Sequence, residues 1–403
     1  EYYTDDKNPG DVSRGKSYSN DYYLNYNYNF SSNTQFLTYF GLYEKEFESY
    51  NAKEGTSIPQ DDEQKIYSKI QLKHKYFNDD YFIIGSDFAQ EIANPQNKSR
   101  KNSTKDSYGF FLMNENSIDK FIFSQGIRYN NAEYNYYFRD RKPIPQDKWN
   151  KLNKTTFNDY SYNIETKYKY NNTGVLYGKL SRDFRTPLIS EMRYTVNAEK
   201  LKPQTQDTIE LGIKDYIHDT YLSLSTFYKI TKDEIYYSGE EYTDLFPYYN
   251  IGDTERYGFE FFGEHYFDKL TLSTSATYLH HNIKKSKFEN LEGKEIPFIP
   301  NWKLGFGAKY QFTDCVLANA DVLYYGKFYD SDDPTNQRPK DIGGYTTLNL
   351  SINYKIIENL TLVGKINNVF DKKYPLYVGY WSNTRQYNKA EGRIYTLEAT
   401  YTF

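Results

Sequence analysis

The sequence predicts an all-β protein, a long antiparallel barrel that crosses a membrane. Three observations carry this. Apolar and polar residues alternate with a period of two over many segments. Those segments run 10–15 residues, against roughly 5–6 for an ordinary strand. The links between them alternate between short and long.

The alternation is plain in "DYYLNYNYNF" (21–30). Tyr22, Leu24, Tyr26, Tyr28 and Phe30 fall on one side, and Tyr23, Asn25, Asn27 and Asn29 on the other. It recurs along the chain. Leu270, Leu272, Ala276 and Tyr278 oppose Thr271, Ser273, Ser275 and Thr277. Leu304, Phe306, Ala308, Tyr310 and Phe312 share a face, as do Val316, Ala318, Ala320, Val322 and Tyr324. Leu348, Leu350, Ile352, Tyr354 and Ile356 alternate with Thr347, Asn349, Ser351, Asn353 and Lys355. In the last stretch Tyr395, Leu397, Ala399, Tyr401 and Phe403 alternate with Thr396, Glu398, Thr400 and Thr402.

Composition fits lipid better than a soluble core. The mean hydropathy is −0.88, yet the chain holds 47 Tyr and 27 Phe. Disordered chains are poor in aromatics. No run of 18 apolar residues exists, so no transmembrane helix is expected. A strand crossing a bilayer needs roughly 9–11 residues, which these segments supply. The net charge of −4 gives nucleic acid no basic surface to bind. A lone Cys315 excludes an internal disulfide framework and a cysteine-based metal cluster.

The links decide between lipid and a soluble all-β repeat protein. The short ones lie near 31–33, 77–80, 114–119, 170–174, 215–220, 267–269, 313–315 and 357–359. The long ones lie near 48–64, 90–106, 130–155, 183–205, 230–250, 281–301, 327–345 and 373–390. Tight turns on one side and long loops on the other mark outer-membrane barrels, with the turns periplasmic and the loops extracellular. The count is about seventeen strands. Bacterial single-chain barrels have even counts. The expectation is therefore the C-terminal portion of a larger barrel, with residues 1–16 the remnant of an extracellular loop and 17–403 the barrel.

Five stretches resemble the TonB-dependent outer-membrane receptors, which import ferric siderophores and similar nutrients. "RDFRTPLISEM" (182–192) is similar to the family's Phe-Arg-Ala-Pro segment through Phe184, Arg185 and Pro187. "LKPQTQDTIELGIK" (201–214) is similar to a Leu-Lys-Pro segment leading to Glu210 and Gly212. "YYNIGDTERYGFEFF" (248–262) carries Asn250, Gly252, Gly258 and Glu260. "INNVFDKKYPLYVGY" (366–380) resembles a C-terminal signature through Asn367, Asn368, Phe370, Asp371 and Tyr374. "GRIYTLEATYTF" (392–403) resembles the closing strand, whose terminal aromatic, here Phe403, is read by the barrel-assembly machinery. Upstream of 182 only the strand rhythm supports the likeness.

The bottom-up reading of these motif residues is structural. Asn and Asp bond backbone where a strand leaves the membrane, and Gly allows close approach. The resemblance implies a barrel of about 22 strands around an N-terminal plug. Seventeen strands would then be the last of them, with plug and coupling box absent, and such a chain alone is not expected to transport actively. It further implies a ferric siderophore or related iron chelate as ligand, the TonB complex as partner through the N-terminal part, and outer-membrane lipid of a Gram-negative bacterium around the wall. No cofactor is expected, iron being carried in the chelate. Haem receptors of the family carry a His between the segments matched here by 182–192 and 201–214, and Leu188 to Lys200 holds none.

No catalytic constellation or phosphate loop stands out. His280–His281 opens an external loop, but adjacent strand residues face oppositely, so joint ligation of one ion is awkward. The loops are more informative. Residues 132–149 join Tyr134, Tyr136, Tyr137 and Phe138 to Arg139 and Arg141. Residues 377–387 join Tyr377, Tyr380 and Trp381 to Arg385 and Tyr387, and 97–105 adds Arg100. Guanidinium forks and aromatic faces suit a flat anionic ligand. The structural alternative is an interfacial aromatic belt with solvated charges. Two functions remain open: a receptor-transporter for iron chelates, and a passive porin-like channel.

Overall fold

A computed structural model describes residues 13–51, 56–59, 61–77, 79–95, 101–138, 151–195, 197–237, 247–381 and 384–402. The polypeptide runs as β1 (Ser13–Asn29), β2 (Thr34–Asn51), β3 (Thr56–Pro59), β4 (Asp61–Phe77), β5 (Asp80–Pro95), β6 (Ser103–Ile118), β7 (Phe121–Tyr136), β8 (Asn153–Lys169) and β9 (Val175–Arg185). A short helix α1 (Ile189–Tyr194) and a 3-10 turn (Ala198–Lys200) follow. Then come β10 (Gln204–Ile217), β11 (Thr220–Tyr237), β12 (Tyr248–Tyr266), β13 (Leu270–Lys285), β14 (Trp302–Thr313), β15 (Val316–Tyr325), β16 (Tyr345–Ile357), β17 (Leu360–Asn367), β18 (Pro375–Trp381), β19 (Thr384–Lys389) and β20 (Ile394–Tyr401).

Seventeen of these strands form one antiparallel meander, each paired to the next in sequence. The short β3 extends the top of β2, and β18–β19 is a separate hairpin in the loop before β20. Among the described residues β1 and β20 each pair on one edge only. The first strand begins at Ser13, not at residue 17: Ser13 to Lys16 pair with Asn51 to Glu48. Residues 1–12 lie outside the described residues. No helix among the described residues is long and apolar enough to cross a membrane.

Register turns the alternation into two continuous surfaces, because directly paired residues share a face. Leu72, Ile84, Leu112, Ile127 and Tyr162 stand opposite one another in turn across β4–β8. Ala320, Leu350, Ile366 and Tyr395 do the same across β15–β20. These chains are the lipid face: Ile84, Leu112, Ile127, Tyr162, Leu350 and Tyr395 are exposed, and Leu72 and Ile366 half-buried. One residue away in each strand lies the polar lumen face. Lys69, Asp87, Gly109, Asn130 and Asp159 form such a row.

Arg128, on the same face two residues from Asn130, binds Asp87 through two parallel bonds of 2.6 and 2.8 Å, reaching across β6. Gly109 makes that crossing possible, since a Cβ there would sit 2.1 Å from the guanidinium. A part-buried, bidentate pair of this kind is stronger than an exposed surface ion pair.

The short turns gather at one end. Asp119 and His218 open two-residue turns in the left-handed region, at φ 52° and 54°. Three other hairpins place a bulge one residue before the turn, between Lys75 and Phe77, Gln311 and Thr313, and Lys355 and Ile357. A bulge adds local twist and ends pairing where the strand leaves the membrane.

The face assignment has a direct test. Leu350→Arg places a charge against lipid and is expected to cost about 2–4 kcal/mol near the midplane. Ser351, whose hydroxyl accepts a bond from Asn319 at 2.9 Å on the lumen side, tolerates Arg with a far smaller loss. Denaturant titration of the two variants folded into lipid reads the difference, and equal losses would mean the faces are reversed.

Candidate functional site

The extracellular mouth of the lumen gathers the chemistry. After β9 the chain does not stay in the wall. Residues 186–203 fold inward, and α1 packs on β5, β6 and β7. The side chains it meets have lumen parity: Ala93, Ala132, Tyr134 and Tyr136. With Phe138, Ile189, Met192, Ala198 and Leu201 they make a buried apolar pad. The inward segment is held by polar clamps. Glu191 accepts the Leu188 N–H at 2.7 Å and an ion pair from Arg185. The Tyr134 hydroxyl donates to the Pro187 carbonyl at 2.6 Å. Lys105, buried beside Tyr134, lies 3.5 Å from Glu91.

Asn250 ties the exit of this segment to the wall. Its side chain accepts from the Lys202 N–H at 2.9 Å and donates to the carbonyls of Lys202 and Asp233 at 3.0 and 2.6 Å. Gln204 adds a bond from the Ile235 N–H at 3.0 Å. Gly252, at φ 130°, approaches so closely that a Cβ would meet the Lys285 carbonyl at 2.1 Å. Gly258 would meet the Tyr278 carbonyl at 1.9 Å.

Lower in the wall Tyr177 lies over Gly212 and donates to Glu210 at 2.8 Å. Phe184 stands opposite Thr205, and Glu260 stands opposite Thr277 on the lumen face. Asn367 ends β17. Asn368, left-handed at φ 52°, bonds both the carbonyl and the N–H of Lys372 and closes that turn. Phe370 is exposed, and Phe403 lies outside the described residues.

The long loops interlock into one roof. Tyr249, Ile251, Ile283, Leu291 and Ile296 form a second pad, and Phe328, Ile342 and Val378 a third. Asn336 exchanges bonds of 2.7 and 3.0 Å with the Glu295 backbone, and Lys340 reaches both Glu295 and Asn301. Ser331 bonds the Val378 carbonyl, and Tyr236 bonds the Ser331 carbonyl.

A cavity of about 680 Å³ opens at this roof. Tyr345, Lys372, Lys373, Tyr374, Asp341 and Lys389 line it. A second, of about 350 Å³, is lined by Lys200, Lys202, Lys285, Lys287, Asp233 and Asp253. Asp371 beside the first cavity is held below the usual carboxylate range, first by the Lys373 ammonium and then by the Arg393 N–H.

Several loop aromatics sit elsewhere than the sequence suggests. Tyr134, Tyr136 and Phe138 are buried, so their faces are spent on the pad rather than open to a ligand. The reason is that β7 continues to Tyr136 and the 186–203 segment covers it. Tyr137 is half-buried with Lys101 over its ring at 5.6 Å. Tyr377, Tyr380 and Trp381 lie on β18 and Arg385 and Tyr387 on β19, Tyr380 opposite Arg385. Arg100, Arg139 and Arg141 lie outside the described residues. His280 and His281 do not open a loop; both lie inside β13. His280 stacks on Tyr257 at 4.6 Å, while His281, on the other face, accepts the Ile296 N–H at 3.1 Å. No group of three metal-ligating side chains occurs among the described residues. Sequence reasoning missed Tyr345 and the three cavity lysines. Lys372 and Lys373 sit inside a motif read as structural, and no local signal marks Tyr345 or Lys389.

A family model described as TonB dependent receptor-like, beta-barrel, matches residues 1–369. The probable TonB-dependent siderophore receptor PiuA of Acinetobacter baumannii is 24% identical over 224 residues, covering 52% of this chain and 28% of that protein. The crystal structure of PiuA superposes with a TM-score of 0.76 at 15% identity, covering 97% of this chain and 65% of that one. The ferric-catecholate import receptor Fiu of E. coli K12, in its closed form, gives 0.74 at 15% identity over 96% and 64%. The copper transporter OprC gives 0.79 at 15% identity over 98% and 67%. The chain thus spans well under a third of the matched curated receptor and about two-thirds of these structures.

The clamp at Asn250 is testable. Asn250→Ala removes three bonds to buried backbone, at an expected cost of about 1–3 kcal/mol. It should lower the thermal midpoint of the folded barrel in detergent and raise hydrogen exchange at 197–203. An unchanged midpoint and unchanged exchange would show that the segment is held by its apolar pad alone.

Proposed function

The chain belongs to the TonB-dependent receptor β-barrel family, and from that premise we propose that it forms the wall and outer mouth of a receptor that captures an anionic iron chelate for energy-coupled uptake. The domain resides in the outer membrane of a Gram-negative bacterium, and receptors of this family are transporters, not enzymes. The observation that carries the proposal is the 680 Å³ cavity, which combines Lys372, Lys373 and Lys389 with Tyr345 and Tyr374 at the outer end of a polar lumen.

Small-molecule sites are commonly concave spaces of roughly 300–1,000 Å³ with a few placed polar groups. Relatives named for siderophore, ferric-catecholate and ferric-citrate transport support iron as cargo. In this reading iron enters inside its chelate, and the protein needs no resident metal. Energy coupling comes through the TonB complex acting on a plug domain N-terminal to the barrel. The inward segment and the interlocked roof narrow the mouth, which suits capture better than free diffusion.

The test is binding of radioiron chelates to outer membranes from cells expressing the chain in a strain without its own receptors. Saturable binding, displaced by excess unlabelled chelate, is the expected result. Salt conductance in planar bilayers with no saturable binding by any chelate would favour the passive channel instead.

A further inference from the structure

The loop between β13 and β14 folds back along β13, and one side chain there takes the place of a ladder bond. Above it the Ile283 N–H donates to the Lys294 carbonyl at 2.8 Å, and below it the Leu279 N–H donates to the Asn301 carbonyl at 2.9 Å. Between them the Ile296 N–H donates to Nδ1 of His281 at 3.1 Å. The imidazole is fully buried. With Nδ1 accepting, the neutral ring carries its proton on Nε2, and Nε2 is buried with no hydrogen-bond partner among the described residues. His281 is the twelfth residue of β13, beyond the roughly 9–11 that cross hydrocarbon.

The same loop carries the roof. The Phe298 N–H donates to the Tyr329 carbonyl at 3.0 Å, and Asn336 holds the Glu295 backbone. Both partners belong to the β15–β16 loop, which supplies Asp341, Ile342 and Gly343 to the larger cavity.

We propose that His281 is an acid-sensitive latch: neutral, it holds the β13–β14 loop closed; protonated, it releases that loop and loosens the roof beside the larger cavity. Only the consequence for cargo rests on the uptake reading above. The ground is a count of donors and acceptors. An imidazolium has two N–H donors and no acceptor, so its Nδ1–H would face the Ile296 N–H. It would also enclose a charge away from water. The charged groups around the ring are already matched: Arg256 of β12 with Glu234 of β11, and Glu295 of the loop with Lys340 of the β15–β16 loop. Burial is the largest influence and pushes the imidazole down to about 4; Glu295 opposes this, and Lys340 and Arg256 add to it. A released ring returns to the ordinary 6.5. The open loop therefore takes up a proton below that value, and the closed loop only below about 4. Closure weakens as pH falls through that window and is fully present above it.

The test is hydrogen exchange on the full-length receptor in detergent, read as protection factors so that the intrinsic pH dependence of exchange cancels. From pH 7.5 to 4.5, protection at 294–299 is expected to fall by roughly tenfold or more, while β4–β8 holds within about threefold. His281→Asn keeps an acceptor for the Ile296 N–H and does not titrate, so its protection should not fall. Glu295→Gln removes the competing cause, acid loss of the Lys340 pair, and the fall should persist. A second reading uses the wild-type chain alone: the imidazole resonances of His281 should pass from neutral to charged over the same pH range as the fall.

PH-independent protection in the wild type would overturn the latch. So would a fall that survives His281→Asn, one that vanishes in Glu295→Gln, or one out of step with the His281 resonances. Should His281→Asn fail to fold, the resonances and the Glu295→Gln profile decide. Each of these outcomes leaves chelate binding at neutral pH, and with it the uptake reading, to stand or fall by its own test.

Discussion

Everything in this molecule follows from the need to satisfy backbone hydrogen bonds inside hydrocarbon. A strand can do this only through its neighbours, so each strand must be long, paired and in register over the full thickness of the bilayer. Once that ladder exists, the side-chain period of two leaves no freedom about faces. A slip of one residue would turn Lys69, Asp87 and Arg128 toward lipid and bring Leu72, Ile84 and Leu112 into water. Register is therefore defended everywhere by the same cost, and each pairing inherits the assignment of the one before it.

The ladder also explains why the outer end is where function gathers. The turns at the opposite end are two to five residues long and only reverse the chain. The outer ends are released from lipid, and there the wall is free to send segments inward. The inward segment after β9 uses this freedom to cover Tyr134 and Tyr136, and the outer end of β11 and the described parts of the β13–β14, β15–β16 and β17–β20 loops lean on one another. Their contacts join residues far apart in sequence: Tyr134 with Pro187, Glu295 with Asn336, Tyr236 with Ser331. Among the described residues, a roof built this way holds a cavity in place, because the loops that carry it are bonded to one another.

That difference sets what the sequence discloses. The wall is legible, since lipid exposure writes a period-two pattern into each strand locally. Leu350 and Ser351 can be assigned to faces from five neighbouring residues. The motif residues are legible as a set, yet their purpose is not. Asn250 acts on Lys202, and Asn368 on Lys372, through bonds that no spacing rule announces. The mouth is the least legible part. A dense run of aromatics and arginines at 134–141 reads as ligand contact, but whether a ring is open depends on a segment about fifty residues later folding back over it. Tyr325, Tyr345 and Tyr374 are unremarkable separately in a chain with 47 tyrosines, and only the loop path between them makes a stack.

On the proposed reading, the mouth and not the whole barrel carries the attraction for an anion. The chain is net acidic at −4, so its overall field does not draw anions in. Inside the wall, strong cations are matched: Arg128 by Asp87 through two bonds, Arg256 by Glu234 through bonds of 2.9 and 2.6 Å. Bidentate pairs of this kind project little field beyond their own dipole. Around Tyr374, Lys372, Lys373 and Lys389 are exposed, Lys373 beside Asp371 at 2.8 Å, on a frame set by the Asn368 turn and the β18–β19 hairpin. At physiological ionic strength their influence extends about 8 Å, comparable to the width of the cavity they line. In the proposed function, a chelate is thus drawn only once it is already at the mouth. The paired charges below leave the lumen polar without offering a free cation at Arg128 or Arg256.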